Sequence, residues 1–196
     1  MNRLAAQLDF LLLCDRLKKV QRTTTLHDGS RLENSAEHSW HLALMALTLG
    51  ELAPAGTDLD RVVRLLLVHD LVEIEAGDLH FDADPQALSA QRQAEEQAAA
   101  LVFGQLPPEQ AGQLRALWQE FEERRTVEAR FARALDAFQP MLLTWGPGGR
   151  GCLESAPELT RSRVLALKEK HLREFPPLWE AAQGLLEQAQ DGGLLI

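Results

Sequence analysis

The chain has 196 residues, of which 45% are apolar and 25% charged, and its net charge is −9 at neutral pH. This length can bury a core without disulfide or metal staples. The acidic balance argues against a polymeric nucleic-acid partner, although a local basic cluster could still bind a small anion. Cys14 and Cys152 lack the spacing of a metal site and hint at a reducing compartment.

The N-terminal apolar run is interrupted by Asp9 and Asp15, so a signal peptide is not expected. No apolar stretch reaches the roughly 18–20 residues that span a bilayer. We therefore expect one cytoplasmic domain over residues 1–196, with no membrane partner.

Helical periodicity dominates the chain, and no convincing alternating strand is found. The predicted helices, in chain order, cover residues 3–19, 35–52, 59–76, 85–103, the stretch from LPPEQ to Arg125, 127–145, 157–173 and 177–190. The polar stretch QRTTTLHDGSRLEN, between the first two helices, is predicted to be a loop. The predicted fold class is therefore all-α, a compact multi-helix bundle.

Capping signals set several of these limits. Asn34 and Glu37 form a capping-box pattern at the start of the second helix. Gly77 is placed to end the third helix. Thr126 can cap the helix that follows it, and Pro140 is expected to interrupt that helix.

The stretch LLLVHDLVEIEAGDLH in the third predicted helix is apolar yet contains several ionisable groups. His69, Asp70 and Glu73 share one helical face, and Asp78 follows at the helix end. Burying such groups costs roughly several kcal/mol each unless they are paired or bind a cation. A divalent metal at this polar edge is one explanation. Hydrogen bonds from His69 and Asp70 to the neighbouring backbone are the other, and spacing alone does not choose between them.

A further candidate lies in the first turn of the preceding helix. His38 heads an apolar stripe there, and His41, one turn later, is interpreted as a packing or supporting residue. Basic residues precede this helix: Lys18, Lys19, Arg22 and Arg31. They form either a solvated basic face or a set of anchors for an anionic group near the metal.

The motifs SAEHSWH and LLLVHDLVEIEAGD resemble those of the HD superfamily of metal-dependent phosphohydrolases, more specifically the branch that contains the 5′-deoxynucleotidases. The resemblance extends through LPPEQAGQLRALWQEFEERRTVEARFARALDAFQPML and covers about residues 8–145, while the predicted helices over 157–190 complete the bundle. It implies an all-α fold, usually dimeric, with one divalent metal ion. The ligands that it implies are His38, His69, Asp70 and Asp136. This set is compatible with Mn, Co, Fe, Zn or Mg.

The resemblance also implies roles for residues around the metal. Arg22 is expected to contact phosphate, and Glu73 and Asp78 are expected to serve the chemistry. Lys18 and Lys19 are further candidates for binding the phosphate oxygens.

Two local features concern the substrate and a second metal. Some 5′-deoxynucleotidases have a Trp after the matching Arg, whereas this chain has Thr23, so a strict preference for 2′-deoxyribose is not expected. His80 is interpreted as a loop residue and not as the ligand of a second metal.

The resulting hypothesis is a hydrolase of (deoxy)nucleoside 5′-monophosphates in which a metal-activated water attacks phosphorus. A homodimer is the expected assembly. One alternative is an HD-type hydrolase of a nucleoside triphosphate, a cyclic nucleotide or a signalling nucleotide. Another is a catalytically silent metal-binding interaction module, against which the retained Glu73 and Asp78 argue.

Overall fold

The computed structural model describes residues 2–79, 82 and 84–196 and confirms the all-α class. The elements are α1 (Arg3–Cys14), β1 (Gln21–Thr25), β2 (Leu32–Asn34), α2 (Ser35–Thr48), α3 (Leu59–Val68), α4 (Glu73–Ala76), α5 (Pro85–Phe103), α6 (Pro108–Glu123), α7 (Val127–Trp145), α8 (Arg161–Leu172) and α9 (Pro176–Asp191). Short 3₁₀ turns follow α1 and α2, at Asp15–Lys19 and Gly50–Leu52. His80 lies outside the described residues.

Helix α7 occupies the centre of the bundle and packs against α2, α3, α6, α8 and α9. Small residues such as Ala129 and Ala132 are fully buried on it and let neighbouring helices approach. Large residues fill the space between them, and the rings of Phe131 and Phe175 meet with centroids 5.2 Å apart. Burying each large apolar side chain contributes about 1.5–3 kcal/mol. The functional helices α2, α3 and α7 are therefore held against one another by the core.

The stretch predicted to be a polar loop instead forms a β-hairpin, so the prediction of no strand was wrong. β1 and β2 are antiparallel, with Gln21 opposite Asn34 and Thr25 opposite Leu32. The run of threonines in β1 is β-branched and favours extended backbone. Gly29, at φ 72°, supplies the left-handed turn residue that joins the strands. The hairpin places its two inward charged residues, Arg22 and Glu33, beside the helical bundle.

The predicted helix over 59–76 is broken into α3 and α4. The His69 ring donates from Nδ1 to the Leu66 carbonyl at 2.8 Å, and in a regular helix that carbonyl would accept from the backbone of residue 70. Tighter i→i−3 bonds then follow, including Glu73 N–H to the Asp70 carbonyl at 3.0 Å. The local tightening brings the Asp70 and Glu73 side chains to the same side.

The remaining boundaries follow the capping signals closely. The Asn34 side chain accepts from Glu37 N–H in a complete capping box, and the Thr126 hydroxyl accepts from Ala129 N–H. Gly77 ends α4 at φ 75°. Helix α7 is continuous through Pro140, so the predicted interruption was wrong. None of the helices in the described part of the chain is long and apolar enough to cross a membrane.

Candidate metal centre and active site

The first turn of α2 presents His38 with a defined ring orientation. Its Nδ1 lies 3.2 Å from Gln139 Oε1 and 3.4 Å from Glu33 Oε2, both of which are acceptors. The Gln139 amide is oriented because its Nε2 donates to Glu33 Oε1 at 2.7 Å. Nδ1 of His38 therefore carries the proton, and in the neutral ring the Nε2 lone pair faces the interior of the site.

His69 presents its Nε2 to the same point. Because its Nδ1 donates to the Leu66 carbonyl, Nε2 is the unprotonated nitrogen of the neutral ring. This buried nitrogen makes no hydrogen bond within the part of the chain that the structure describes. A buried nitrogen lone pair without a donor is costly, and a bound cation satisfies it.

Two carboxylates complete the cluster. Ligand atoms of His38, His69 and Asp136 lie within 4.8 Å of one another, and His38 Nε2 is 2.9 Å from Asp136 Oδ1. Asp70 Oδ1 adjoins them, 2.9 Å from His69 Nε2. Neighbouring ligands about 2.1 Å from one ion are about 3 Å apart when their bonds are perpendicular. The donor types and their spacing fit a divalent metal ion.

The two carboxylates are held ionised by different neighbours. Burial alone would raise the pKa of Asp136, but the positive charge of Arg133 opposes burial, and the pKa lies well below its usual value. Arg133 donates to Asp136 Oδ2 at 2.8 Å. Burial likewise opposes ionisation of Asp70, but nearby positive charge, including that of Arg22, lowers its pKa overall. Both carboxylates are therefore prepared as anionic ligands.

Arg22 projects from β1 into the site, and its side chain is only 12% exposed. It donates from Nη1 to Asp70 Oδ2 at 3.2 Å, and the same nitrogen is 3.9 Å from Asp78 Oδ1. Its Nε is 3.5 Å from Glu33 Oε2. Burial opposes its charge, but Asp70 and Asp78 raise its pKa overall, so the guanidinium stays charged. A fixed cation beside the metal cluster can bind an anionic oxygen.

Glu73 and Asp78 lie on the same side of the site as Asp70. Burial, followed by the charges of Asp70 and Asp78, raises the pKa of Glu73 well above its usual value. Ser35 donates from its hydroxyl to Glu73 Oε2 at 2.6 Å, which orients the carboxyl group. Burial also raises the pKa of Asp78, against the opposing effect of Arg22. A carboxyl group with a raised pKa is suited to taking up a proton near neutral pH.

These groups line one cavity of about 310 Å³, which is large enough for a small ligand. The sequence-predicted residues on its wall are Arg22, His69, Asp70, Glu73, Asp78 and Asp136. His38 is fully buried behind them. The structure thus brings together all the predicted metal ligands, the arginine and both catalytic candidates.

Three basic candidates lie away from this cavity. Lys18 and Lys19 are exposed on the 3₁₀ turn after α1, where Lys18 pairs with Asp15. Arg31 pairs with Glu37 on the surface at 2.7 Å. The prediction that Lys18 and Lys19 bind phosphate finds no support in this placement, because both residues are exposed and neither lines the cavity.

Sequence reasoning missed several residues of the site. Glu33 and Gln139 are both buried and together orient His38, while Arg133 contacts Asp136. The available signal was weak: Gln139 follows Asp136 by three residues, so it falls on the same helical face. His41 was interpreted as a supporting residue, and its Nδ1 lies 3.2 Å from Gln139 Nε2.

Comparison with known proteins matches this arrangement to one family. A family model described as HD domain matches residues 14–179. Human 5′-deoxynucleotidase HDDC2 is 33% identical over 136 residues, which are 69% of this chain and 65% of the human protein. The Schizosaccharomyces pombe 5′-deoxynucleotidase hdd1 is 27% identical over 135 residues, covering 66% of each chain. The matched segment thus spans about two thirds of these relatives' length.

Solved structures share the whole fold. A crystal structure described as a predicted metal-dependent phosphohydrolase from Magnetospirillum magnetotacticum MS-1 has a TM-score of 0.85 and 42% identity, covering 100% of this chain and 99% of the other. A conserved hypothetical protein from Pyrococcus furiosus has a TM-score of 0.64 and 23% identity, covering 91% and 98% respectively, which shows likeness of fold alone. The helical bundle, the paired histidines beside two aspartates and the match over residues 14–179 agree, and the chain belongs to the HD-domain family.

Proposed function

We propose that this protein is a metal-dependent phosphohydrolase that removes phosphate from a nucleoside 5′-monophosphate. The observation that carries the proposal is the convergence of His38 Nε2, His69 Nε2 and Asp136 Oδ1 beside the buried guanidinium of Arg22. A cation site next to a fixed arginine provides the two kinds of positive charge that phosphoryl transfer requires. The names of the human and fission-yeast relatives support a nucleotide monoester as substrate.

The metal would be held by four residues: His38, His69, Asp70 and Asp136. A bound divalent ion supplies Lewis acidity and lowers the pKa of water. Glu33 and Gln139 keep the His38 proton on Nδ1, so that Nε2 stays available as a ligand. The two aspartates bring two negative charges, which balance the two positive charges of a divalent ion.

The residues around the metal then have separate roles. Arg22 binds non-bridging oxygens of the phosphate, exchanging part of its contact with Asp70 for the substrate. Glu73 accepts the proton of the attacking water at Oε1, because Oε2 already accepts the Ser35 hydrogen bond. Asp78 follows Gly77, whose positive φ turns the chain back toward the cavity, and it positions the sugar or the leaving oxygen.

The direct test is a panel of nucleotides incubated with protein loaded separately with Mn, Co, Fe, Zn or Mg. We expect release of inorganic phosphate from 5′-monophosphates at least tenfold faster than from 3′-monophosphates, triphosphates or cyclic nucleotides. Some 5′-deoxynucleotidases have a Trp where this chain has Thr23, which lines the cavity beside Thr24. We therefore expect the rates for ribose and 2′-deoxyribose substrates to differ by less than tenfold. If no inorganic phosphate is released from any 5′-monophosphate with any of these metals, the proposed function is wrong.

We also propose a homodimer acting in the cytoplasm, as one domain over residues 1–196. Leucines at helical spacing on α1 are each more than half exposed: Leu4, Leu8, Leu11 and Leu12. We call these four residues the α1 stripe. An apolar stripe of this kind is suited to burial against a second copy. Cys14 and Cys152 are both free thiols in the described structure, which fits a reducing compartment.

The double variant Leu8→Glu, Leu12→Glu should convert this dimer to a monomer, because pairing would bury its added carboxylates. Ala6 and Phe10 face the core on the other side of α1, so the fold should survive. Light scattering coupled to gel filtration measures the mass. Leu47→Glu on the exposed face of α2 serves as the control and should remain dimeric. A monomeric wild type, or a double variant that stays dimeric, would refute the α1 stripe as the interface.

A further inference from the structure

One side of the cavity is basic, although the protein as a whole is acidic. We define the basic wall by five residues from the end of α6, from α7 and from α8: Arg124, Arg133, Lys168, Lys170 and His171. None of them was selected from the sequence. They lie on elements other than the hairpin that carries Arg22, so cationic side chains reach the cavity from two parts of the fold.

Arg124 is the most informative residue of the basic wall. It caps α6 in the left-handed conformation at φ 56°, and among the described residues no other non-glycine has a positive φ. Such a position usually holds glycine, and any other residue costs roughly 1 kcal/mol or more there. Despite this cost the position holds an arginine, and its side chain lines the cavity.

The guanidinium of Arg124 has few partners, although its side chain is only 36% exposed. Its Nε is buried and makes no hydrogen bond within the described ranges. Glu122 Oε2 lies 4.0 Å from Arg124 Nη2, beyond hydrogen-bond distance. Burial and the charge of Arg133 lower the pKa of Arg124. Several donors of this side chain are therefore left for a ligand.

The pKa values of Lys168 and His171 are also lowered in the wall. Burial lowers the pKa of Lys168 to about 8; the charge of Asp136 raises it in part, whereas Arg133, Arg22 and Lys170 lower it further. Burial, Arg133 and Arg124 lower the pKa of His171 to about 3, so its ring is neutral and can donate one hydrogen bond. Glu95 and Glu122 also line this side, but burial raises the pKa of Glu95 to about 7, which weakens its compensating charge.

Like charges gathered around one cavity repel one another, and an anion entering the cavity reduces that cost. The phosphate to be hydrolysed already has its own cations, namely the metal and Arg22. Arg124 thus has charge and at least one unpaired donor for a second anionic group. Arg133 already donates to Asp136, so Arg124, at the end of α6, is the member of the wall that remains for this second group.

We propose that the basic wall, through Arg124, binds a second phosphate group carried by the same nucleotide, so that the preferred substrate is a nucleoside 3′,5′-bisphosphate. This inference rests on the proposed 5′-nucleotidase function. The 5′-phosphate occupies the metal side beside Arg22, and the 3′-phosphate reaches Arg124 across the sugar.

The test compares 2′-deoxyadenosine 3′,5′-bisphosphate with 2′-deoxyadenosine 5′-monophosphate in wild type and in Arg124→Gly. Glycine suits the left-handed backbone, so this variant removes the guanidinium while keeping or improving stability. We expect wild type to have at least a tenfold higher kcat/KM for the bisphosphate. Arg124→Gly should lower that preference by about tenfold or more, with no fall in Tm. Arg125→Ala is the matched control, because its side chain is 81% exposed, and it should keep the preference.

Binding without turnover separates this inference from the proposed function. Calorimetric titration of chelator-treated protein should show tighter binding of the bisphosphate than of the monophosphate, and the difference should vanish in Arg124→Gly. If that difference is found while neither nucleotide is hydrolysed, the proposed function fails and the second phosphate site stands. If the monophosphate is hydrolysed but the bisphosphate gains nothing, the second site is refuted. Arg124-dependent binding of inorganic phosphate alone, without a gain for the bisphosphate, would also refute it.

Discussion

Replacing Asp70 with alanine is expected to abolish both divalent-metal binding and phosphate release. Asp70 Oδ1 lies 2.9 Å from His69 Nε2, and the carboxylate supplies half of the negative charge that matches a divalent ion. Arg22 keeps contacts with Glu33 and Asp78 in the variant, so the change should leave the fold intact. Metal content after dialysis should fall from about one ion per chain to background. Activity should fall at least 1,000-fold, since the lost electrostatic stabilisation is a leading part of such catalysis.

The matched control for this change is Asp60→Ala, because Asp60 is exposed on the same helix α3. A divalent ion that binds only the folded state raises Tm according to its affinity. We therefore expect added metal to raise Tm in wild type and in the control but not in Asp70→Ala. If the alanine variant is poorly folded, Asp70→Asn preserves the shape and serves as the second variant. A variant with full metal content and activity would exclude Asp70 as a ligand.

The helical framework was predictable because its signals are local. The Asn34 capping box and the Thr126 cap each lie within one turn of the helix that they begin, and both are present in the structure. Pro140 misled the prediction for a tertiary reason. Buried contacts on both sides of it, including Phe138 and Met141, hold α7 continuous despite one missing backbone hydrogen bond.

The hairpin and the break after α3 depended on interactions that periodicity does not record. Residues 21–34 contain too few apolar side chains to read as a strand, yet the Asp28–Gly29 pair was a turn signal that favours a hairpin. The break at His69 requires knowledge that its ring binds the Leu66 carbonyl. A side chain competing for a backbone acceptor is invisible to a pattern of apolar residues.

The site was predictable only in part for a similar reason. His69, Asp70 and Glu73 stand out because they are ionisable groups within an apolar stretch. Asp136 has no such context, and only the family resemblance selected it. Arg124 lies between exposed residues in a charged sequence, and its importance depends on a left-handed backbone conformation that no local pattern marks.

Replacing Glu73 with glutamine is expected to separate chemistry from metal binding. Glutamine keeps the size of the side chain and can still accept the Ser35 hydrogen bond at one oxygen. It cannot accept a proton from water at neutral pH. We expect kcat to fall about 10²–10⁴-fold, which is the usual contribution of a general base. Metal content and KM should stay near the wild-type values, because neither depends on the missing basic oxygen.

The stability of the same variant gives an independent check on the Glu73 environment. Burial, Asp70 and Asp78 raise the pKa of Glu73, so its ionised form destabilises the metal-free fold. That cost is absent at pH below the ordinary carboxyl pKa and grows as pH rises through the raised value. In chelator at pH 8, Glu73→Gln should therefore have a Tm equal to or above that of wild type. Glu75→Gln, at an exposed residue paired with Arg16 at 2.8 Å, should keep full kcat. If Glu73→Gln also keeps more than a third of wild-type kcat, the proton acceptor is another group, and Asp78 is the carboxylate next in reach of the cavity.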